Sequence, residues 1–210
     1  MKKGILGRKL GMAQVFDGEG RAVPVTVVEA GPCVVIRKKT LETDGYNAIQ
    51  VGFDDAPDKG LSKPVKGQFV AANVKPKRLV REFRLESVDG YQVGQQFGAE
   101  LFSAGELVDV TGTSRGRGFA GSVKRHGFNR GPMTHGSKYH RRVGSLQSRD
   151  ASRVFKGRRM PGRLGGTRVT VQALKVVKID SERNLLLIRG AIPGANGAAL
   201  TIKNSVKARS

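Results

Sequence analysis

The sequence predicts a mainly β protein, with a closed or sandwiched β core and one long irregular basic segment. Short runs of β-branched or alternating residues, bounded by Gly, Pro, Asn or Asp, are typical of strands. Many such strands joined by turn signals favour a barrel or a sandwich. Residues 114–168 contain 11 of the 29 glycines, which argues against a long regular helix there.

The part of the chain before residue 114 predicts six strands and one helix. In order, the strands are expected at residues 4–16, 21–31, 34–39, 47–53, 78–85 and 107–112. In the second strand, Val23, Val25 and Val27 alternate with other residues, which is the period of a strand with two different faces. The helix is expected at residues 65–73, although Gly67 weakens it.

The remainder predicts three more strands and one short helix. The strands are expected at residues 168–180, 184–194 and 199–203. The helix is expected at residues 119–125, and Gly127 and Gly131 limit it to about two turns.

Charge is the most unusual property of the composition. The chain has 38 Lys and Arg against 17 Asp and Glu, a net charge of +21. Residues 114–168 hold 15 of the basic residues and a single acid, Asp150, so two thirds of the surplus lies in about a quarter of the chain. Such a surplus opposes compactness unless a polyanion neutralises it. Nucleic acid is the expected partner, and an anionic membrane surface is a distant second.

The basic segment is too poor in large apolar residues to build its own core. It interleaves Phe and Tyr with Arg and Gly, whereas disordered tails are usually poor in aromatics. Arg and Lys bind phosphates, Gly allows close backbone approach, and aromatics stack on unpaired bases. We therefore expect a segment that RNA orders, and the alternative is a flexible basic loop without a dedicated partner.

Two enzyme-like patterns overlap where this segment begins. Residues 112–116, GTSRG, match the G-x-S-x-G turn of hydrolases, and residues 116–121, GRGFAG, match the dinucleotide fingerprint. No histidine follows Asp150, the first acid after Ser114, so the hydrolase order is missing. The fingerprint lacks both a βαβ unit and the acid expected about 20 residues later. Both enzyme functions are disfavoured, although an upstream acid such as Asp109 stays open as a partner of Ser114.

Other site types have little support in the sequence. The single cysteine, Cys33, is expected to be a small buried residue in a reducing compartment. His135 and His140 lack the clustered ligands of a zinc site, and no cofactor is predicted. No run of about 18 apolar residues predicts a membrane span. A signal peptide is not expected, because Arg8 and Lys9 interrupt the first apolar stretch.

Eight stretches of the chain carry a family resemblance. They are GILGRKLGMAQVF, PVTVVEAGPC, DGYNAIQVGF, VDVTGTSRGRGFAGSVKRHGF, THGSKYHRRVGS, RVFKGRRMPGRLGG, RVTVQALKVVKID and NLLLIRGAIPGANG, in that order. Together they closely resemble large-subunit ribosomal protein three of the bacterial type, from Gly4 to about Lys203.

This resemblance implies a fold and a division of the chain. The fold is a small closed β-barrel of the translation-protein type, with an α+β addition and a long, irregular basic extension. Residues 1–113 and 169–205 would form a discontinuous globular domain, with the α+β portion at 54–105. Residues 114–168 would be the extension, and 206–210 a basic tail.

The resemblance also implies a function. The protein would be a structural constituent of the large ribosomal subunit and not an enzyme. It would bind 23S ribosomal RNA directly near its 3′ end, help to nucleate subunit assembly, and send the extension toward the peptidyl transferase centre. Its partners would be that RNA and neighbouring ribosomal proteins in the cytoplasm, with neither a membrane nor a small-molecule substrate.

The candidate RNA-binding residues are the basic side chains of the segment and its three histidines. They are Arg115, Arg117, Lys124, Arg125, His126, Arg130, His135, Lys138, His140, Arg141, Arg142, Arg149, Arg153, Lys156, Arg158, Arg159, Arg163 and Arg168. We expect them to recognise mainly RNA shape and backbone rather than a base code.

One stretch departs from the family pattern. Some members carry GQNQTPG, with a methylated glutamine, before VFKG, whereas this chain has LQSRDASRVFKG, which is one residue shorter. Gln147 does not align with the modified position, and Arg149 falls closest to it, so we do not expect that modification. Asp150 lies in the same stretch and is a candidate ion-pair partner for a neighbouring arginine.

Two other functions remain as alternatives. One is a nucleotide-binding enzyme that uses Gly116, Gly118 and Gly121. The other is a regulator that acts away from the ribosome through the same basic segment.

Overall fold

A computed structural model describes residues 3–57 and 59–208. In these residues, strands β1–β12 span Gly4–Phe16, Ala22–Ala30, Cys33–Lys39, Ala48–Asp55, Lys77–Arg84, Gln96–Phe97, Leu107–Thr113, Phe119–Ala120, Gly162–Arg163, Arg168–Asp180, Leu185–Arg189 and Ala199–Asn204. Helices α1–α3 span Leu41–Asp44, Lys63–Ala71 and Ser122–His126, and a 3-10 turn covers Ala99–Leu101. The first compact unit comprises residues 3–113 and 168–208, and the second comprises Ser114–Thr167.

Six strands of the first unit form a sheet that closes on itself. In the order β1-β12-β7-β10-β11-β2, each strand pairs antiparallel with the next, and β2 pairs back with β1. Successive side chains of a strand point to opposite faces, so alternating apolar positions line one side. Ile5, Val28, Val110, Ile188 and Ile202 are fully buried in this way. Closure gives each of the six strands a hydrogen-bonded neighbour on both sides.

A second antiparallel sheet, β5-β4-β3-β6, completes the first unit. Phe69 of α2 packs in a small buried cluster with Ile36 of β3 and with Ala72. Val35 and Phe83 of the same sheet belong to the large buried cluster that also contains the interior of the closed sheet. The two sheets therefore share one hydrophobic core.

A β-bulge interrupts β10 where it pairs with β7. The register shifts between Val171 and Leu174, and Ala173 has a φ of 56°, which is unusual for a residue other than glycine. The buried carboxylate of Asp109 accepts hydrogen bonds from the backbone N–H groups of Ala173, at 2.9 Å, and Val206, at 3.2 Å. Asp109 is thus a structural residue that stabilises the bulge and anchors the end of the chain, rather than a partner of a serine nucleophile.

The second unit has little regular structure. β8 pairs with β9. Helix α3 has five residues, and its C-cap, Gly127, has a left-handed φ of 69°. Ala120 and Ser122 are the only buried residues between 114 and 167, all of which the structure describes. The expectation that this segment lacks a core of its own is confirmed.

Most of the element predictions are confirmed. β1 and β10 have the predicted bounds, and the predicted helix at 65–73 is α2, displaced by two residues. The predicted helix at 119–125 is wrong at its start, because Phe119 and Ala120 pair as β8 with Gly162–Arg163 and the helix begins only at Ser122. Helix α1, the short strands β6, β8 and β9, and the 3-10 turn were not predicted.

Cys33 has no exposed surface, as expected. Arg168, which the sequence assigns to the basic extension, is the first residue of β10 and pairs with Thr113. None of the described helices has the length and apolar composition that a membrane crossing requires.

Candidate nucleic-acid interface

A two-stranded stem, defined here as residues 114–120 and 162–167, carries the start of the basic segment. The backbone N–H of Ser114 donates to the carbonyl of Thr167 at 2.9 Å. Further along, the N–H of Arg117 donates to the carbonyl of Leu164, and the N–H of Leu164 donates to the carbonyl of Gly118, both at 2.9 Å. These bonds lead directly into the β8–β9 pair, so both ends of the segment are held together.

The stem accounts for a glycine that the sequence analysis did not single out. Gly165 has a left-handed φ of 73°, and a Cβ at this position would collide with the backbone carbonyl of Arg115. Glycine is therefore required here both by the backbone conformation and by the closeness of the opposite strand.

The stem geometry also settles the two enzyme-like patterns. The hydroxyl of Ser114 lies 3.3 Å from the hydroxyl of Thr167 and accepts from the N–H of Thr167, and among the described residues no histidine is hydrogen-bonded to it. Every strand pair is antiparallel in the part of the chain that the structure describes, so the fingerprint has no parallel βαβ unit around it. Gly118 has a left-handed φ of 67° within the stem, and Gly121 is the N-cap of the five-residue helix α3.

Most candidate RNA-binding residues are exposed. The exposed ones are Arg115, Arg117, Lys124, Arg130, His135, Lys138, Arg141, Arg142, Arg149, Arg153, Lys156, Arg158, Arg159, Arg163 and Arg168. The other three, Arg125, His126 and His140, are half-buried. The cationic groups are therefore open to a ligand along the whole segment.

None of these cations has a carboxylate partner among the described residues. In the first unit, by contrast, basic residues do pair with acids, as in Arg8–Asp54 at 2.6 Å and Lys3–Glu106 at 2.8 Å. Asp150 is exposed and makes no ion pair within the described part of the chain, so its suggested pairing with an arginine is wrong. Within the described residues, the positive charge of the segment is thus not paired with any carboxylate.

The half-buried candidates contribute to local structure as well as charge. Arg125 Nη1 donates to the carbonyl of Met160 at 2.7 Å, and His126 Nε2 lies 2.9 Å from the same oxygen. His140 Nδ1 lies 3.0 Å from the carbonyl of Pro132. Arg125 and His126 therefore connect α3 to the chain just before β9, which sequence reasoning missed because the acceptor is a backbone carbonyl 34 or 35 residues away.

Exposed apolar side chains lie between the cations. Phe119 is 81 % exposed, Phe155 59 % and Tyr139 57 %. Burying such rings against a ligand is favourable, and aromatic faces stack on unpaired bases.

The described residues include no group of three or more His, Cys, Asp or Glu placed to hold a metal ion.

The chain combines a β-rich unit with a coreless, exposed cationic segment, an arrangement that is typical of proteins that bind polyanions. Comparison with known proteins gives the particular family. A sequence profile described as Ribosomal protein L3 matches residues 84–184.

Two full-length relatives carry the name large ribosomal subunit protein uL3. The relative from Carboxydothermus hydrogenoformans is 60 % identical over 209 residues, covering 100 % of both chains. The relative from Desulforudis audaxviator is 60 % identical over 207 residues, covering 99 % of this chain and 97 % of its own. The chain belongs to the ribosomal protein L3 family, which confirms the resemblance, and the prediction that it is not an enzyme is confirmed because these relatives are ribosomal proteins.

Proposed function

We propose that this chain is a structural constituent of the large ribosomal subunit that binds 23S ribosomal RNA directly near its 3′ end. The observation that carries this proposal is the row of exposed Lys and Arg side chains at 115–168 without any carboxylate partner among the described residues. RNA phosphates supply the missing negative charge, and each contact releases counterions.

The second unit supports a role in subunit assembly. Because it has only two buried residues, folding this segment alone recovers little hydrophobic free energy against its conformational entropy. RNA binding supplies the remaining free energy that ordering the segment requires. The protein therefore orders the RNA, and the RNA orders the protein. We propose that this mutual ordering nucleates assembly and that the segment reaches toward the peptidyl transferase centre.

The proposal extends to the domain organisation. The closed six-stranded sheet is the β-barrel of the translation-protein type, in a globular domain of residues 1–113 and 169–205, with an α+β addition at 54–105. Residues 114–168 are the RNA-binding extension and 206–210 a basic tail, of which residues 209 and 210 lie outside the described residues. Neighbouring ribosomal proteins are the other partners, in the cytoplasm.

The test is a titration of the whole chain with 23S ribosomal RNA at several salt concentrations. We expect the logarithm of the binding constant to fall linearly with the logarithm of salt, with a slope of roughly −0.7 to −0.9 per phosphate contact. Cosedimentation with large subunits in high salt separates a constituent from a regulator that acts away from the ribosome. An affinity that does not change with salt would contradict the proposal.

A further inference from the structure

A surface groove in the second unit combines apolar walls with cations. It is lined by Phe128, Phe155 and Leu146, and by the basic residues Lys156 and Arg159. Both walls lie within Ser114–Thr167, so the groove belongs to one compact unit.

The two walls of this groove are joined to each other. Arg158 Nη2 donates to the carbonyl of Ser145 at 2.8 Å, and the Ser145 hydroxyl donates to the carbonyl of Gln147, also at 2.8 Å. The first bond links the wall formed by residues 155–159 to the wall formed by residues 145–148. These bonds therefore define the shape of the groove in this structure.

Phe155 is the more exposed of the two aromatic residues that line this groove. The ring is 59 % exposed, and its only ring contact in the described residues is the guanidinium of Arg153, 5.4 Å from the centroid. A core position would hide such a ring, whereas here it faces solvent between cations. The adjacent side chain of Lys156 is also exposed and has no acid partner among the described residues.

We propose that this groove takes one unpaired RNA base, stacked on the ring of Phe155, while Lys156 and Arg159 bind the flanking phosphates. The inference rests on the proposed function and adds a specific ligand site to it. Bases inside a duplex have both faces covered by neighbours, so only an unpaired base offers a face to an aromatic ring. The cations on the same wall match the phosphates on either side of that base, which favours a nucleotide over an apolar protein segment.

The experiment measures binding of full-length variants to a 3′-terminal fragment of 23S ribosomal RNA across a salt series. Phe155→Ala is expected to weaken binding by about fivefold to a hundredfold, the range found for lost base–aromatic stacking. The salt slope should stay the same, because no charge is removed. Phe155→Tyr should keep the wild-type affinity. Phe155→Leu should lose it, because leucine supplies apolar surface without a ring.

Phe16→Ala is the matched control. Phe16 is 69 % exposed in the first unit and lies next to the acidic Asp17, so its removal should leave affinity unchanged. If Phe155→Ala or Phe155→Leu binds as tightly as the wild type, the stacking site is refuted while the proposed function stands. If the wild type itself binds the RNA without salt dependence, the proposed function fails and the stacking site fails with it.

Discussion

Replacing the second unit by a tight turn would separate the folding of the first unit from RNA binding by the second. Thr113 and Arg168 are direct partners in the antiparallel β7–β10 pair, so a two-residue Asn-Gly turn can join them in place of residues 114–167. The large core cluster contains no residue from this range. We therefore expect the shortened chain to fold, with its net charge reduced from +21 to +8.

The loss of RNA affinity can be worked out from the exposed charges. The deleted residues include 14 Lys and Arg and one acid, and 13 of the 14 are exposed. If about half of them contact phosphates, the salt slope should fall in magnitude by roughly 5 to 6. Over a fourfold rise in salt, the wild type should then weaken on the order of a thousandfold more than the shortened chain.

The assay is filter binding to 23S ribosomal RNA at four salt concentrations, with circular dichroism and urea unfolding as the check on folding. A shortened chain that folds and keeps the wild-type affinity and salt slope would refute the role of the segment. In a control, Lys38 of the first unit is replaced by Gln. This change should alter the salt slope by at most about 0.9, the value for one phosphate contact.

Three further predictions concern the first unit. Burial raises the pKa of the Cys33 thiol to about 12, so at pH 8 its alkylation in the folded protein should be slower than in the unfolded chain by on the order of a thousandfold. Asp109→Ala leaves two backbone N–H groups without their acceptor and should lower the free energy of unfolding in urea by about 2–4 kcal/mol. The hydrogen bond and charge of Lys77 lower the pKa of the Asp55 carboxyl, so the stability from this pair is present above about pH 4 and is lost as the pH falls further. Asp55→Asn should flatten the acid side of the stability profile.

Each of these predictions has a contrary outcome. Rapid alkylation of Cys33 under native conditions would show that the core opens far more than its burial indicates. An Asp109→Ala variant with wild-type stability would show that the bulge holds without the carboxylate. An acid profile that Asp55→Asn leaves unchanged would show that the ion pair with Lys77 contributes nothing to folding.

The sequence predicts strands well where local pattern and tertiary structure agree. β1 and β10 have the bounds that their β-branched runs and flanking turn residues predict. The choice between a closed sheet and a sandwich stayed open, because closure depends on pairing Gly4 with Lys203 and Leu185 with Glu29, which no local pattern reveals. Long-range pairing of this kind is decided by the whole chain.

The same reason explains the error at Phe119. The sequence predicted that the helix begins at Phe119, whereas in the structure only Ser122–His126 is helical. Backbone pairing with Gly162 and Arg163, more than 40 residues later, makes them a strand instead. A local propensity is a weak signal when a distant segment offers two hydrogen-bonded partners.

The candidate interface was predictable in composition but not in its internal contacts. Charge counting predicts that residues 114–168 face a polyanion. It does not reveal that Arg125 and His126 share the carbonyl of Met160, or that Arg158 braces a groove through Ser145. Backbone carbonyls carry no sequence signature, so such contacts emerge only from the structure.

The central claim is that residues 114–168 lie in ribosomal RNA, and crosslinking tests it most directly. A photoreactive side chain placed at Arg141 or at Arg159, both exposed in the segment, would be activated in purified large subunits that contain this chain. Crosslinks to 23S ribosomal RNA are expected from both positions. Crosslinks to proteins alone, or to no partner at all, would contradict it.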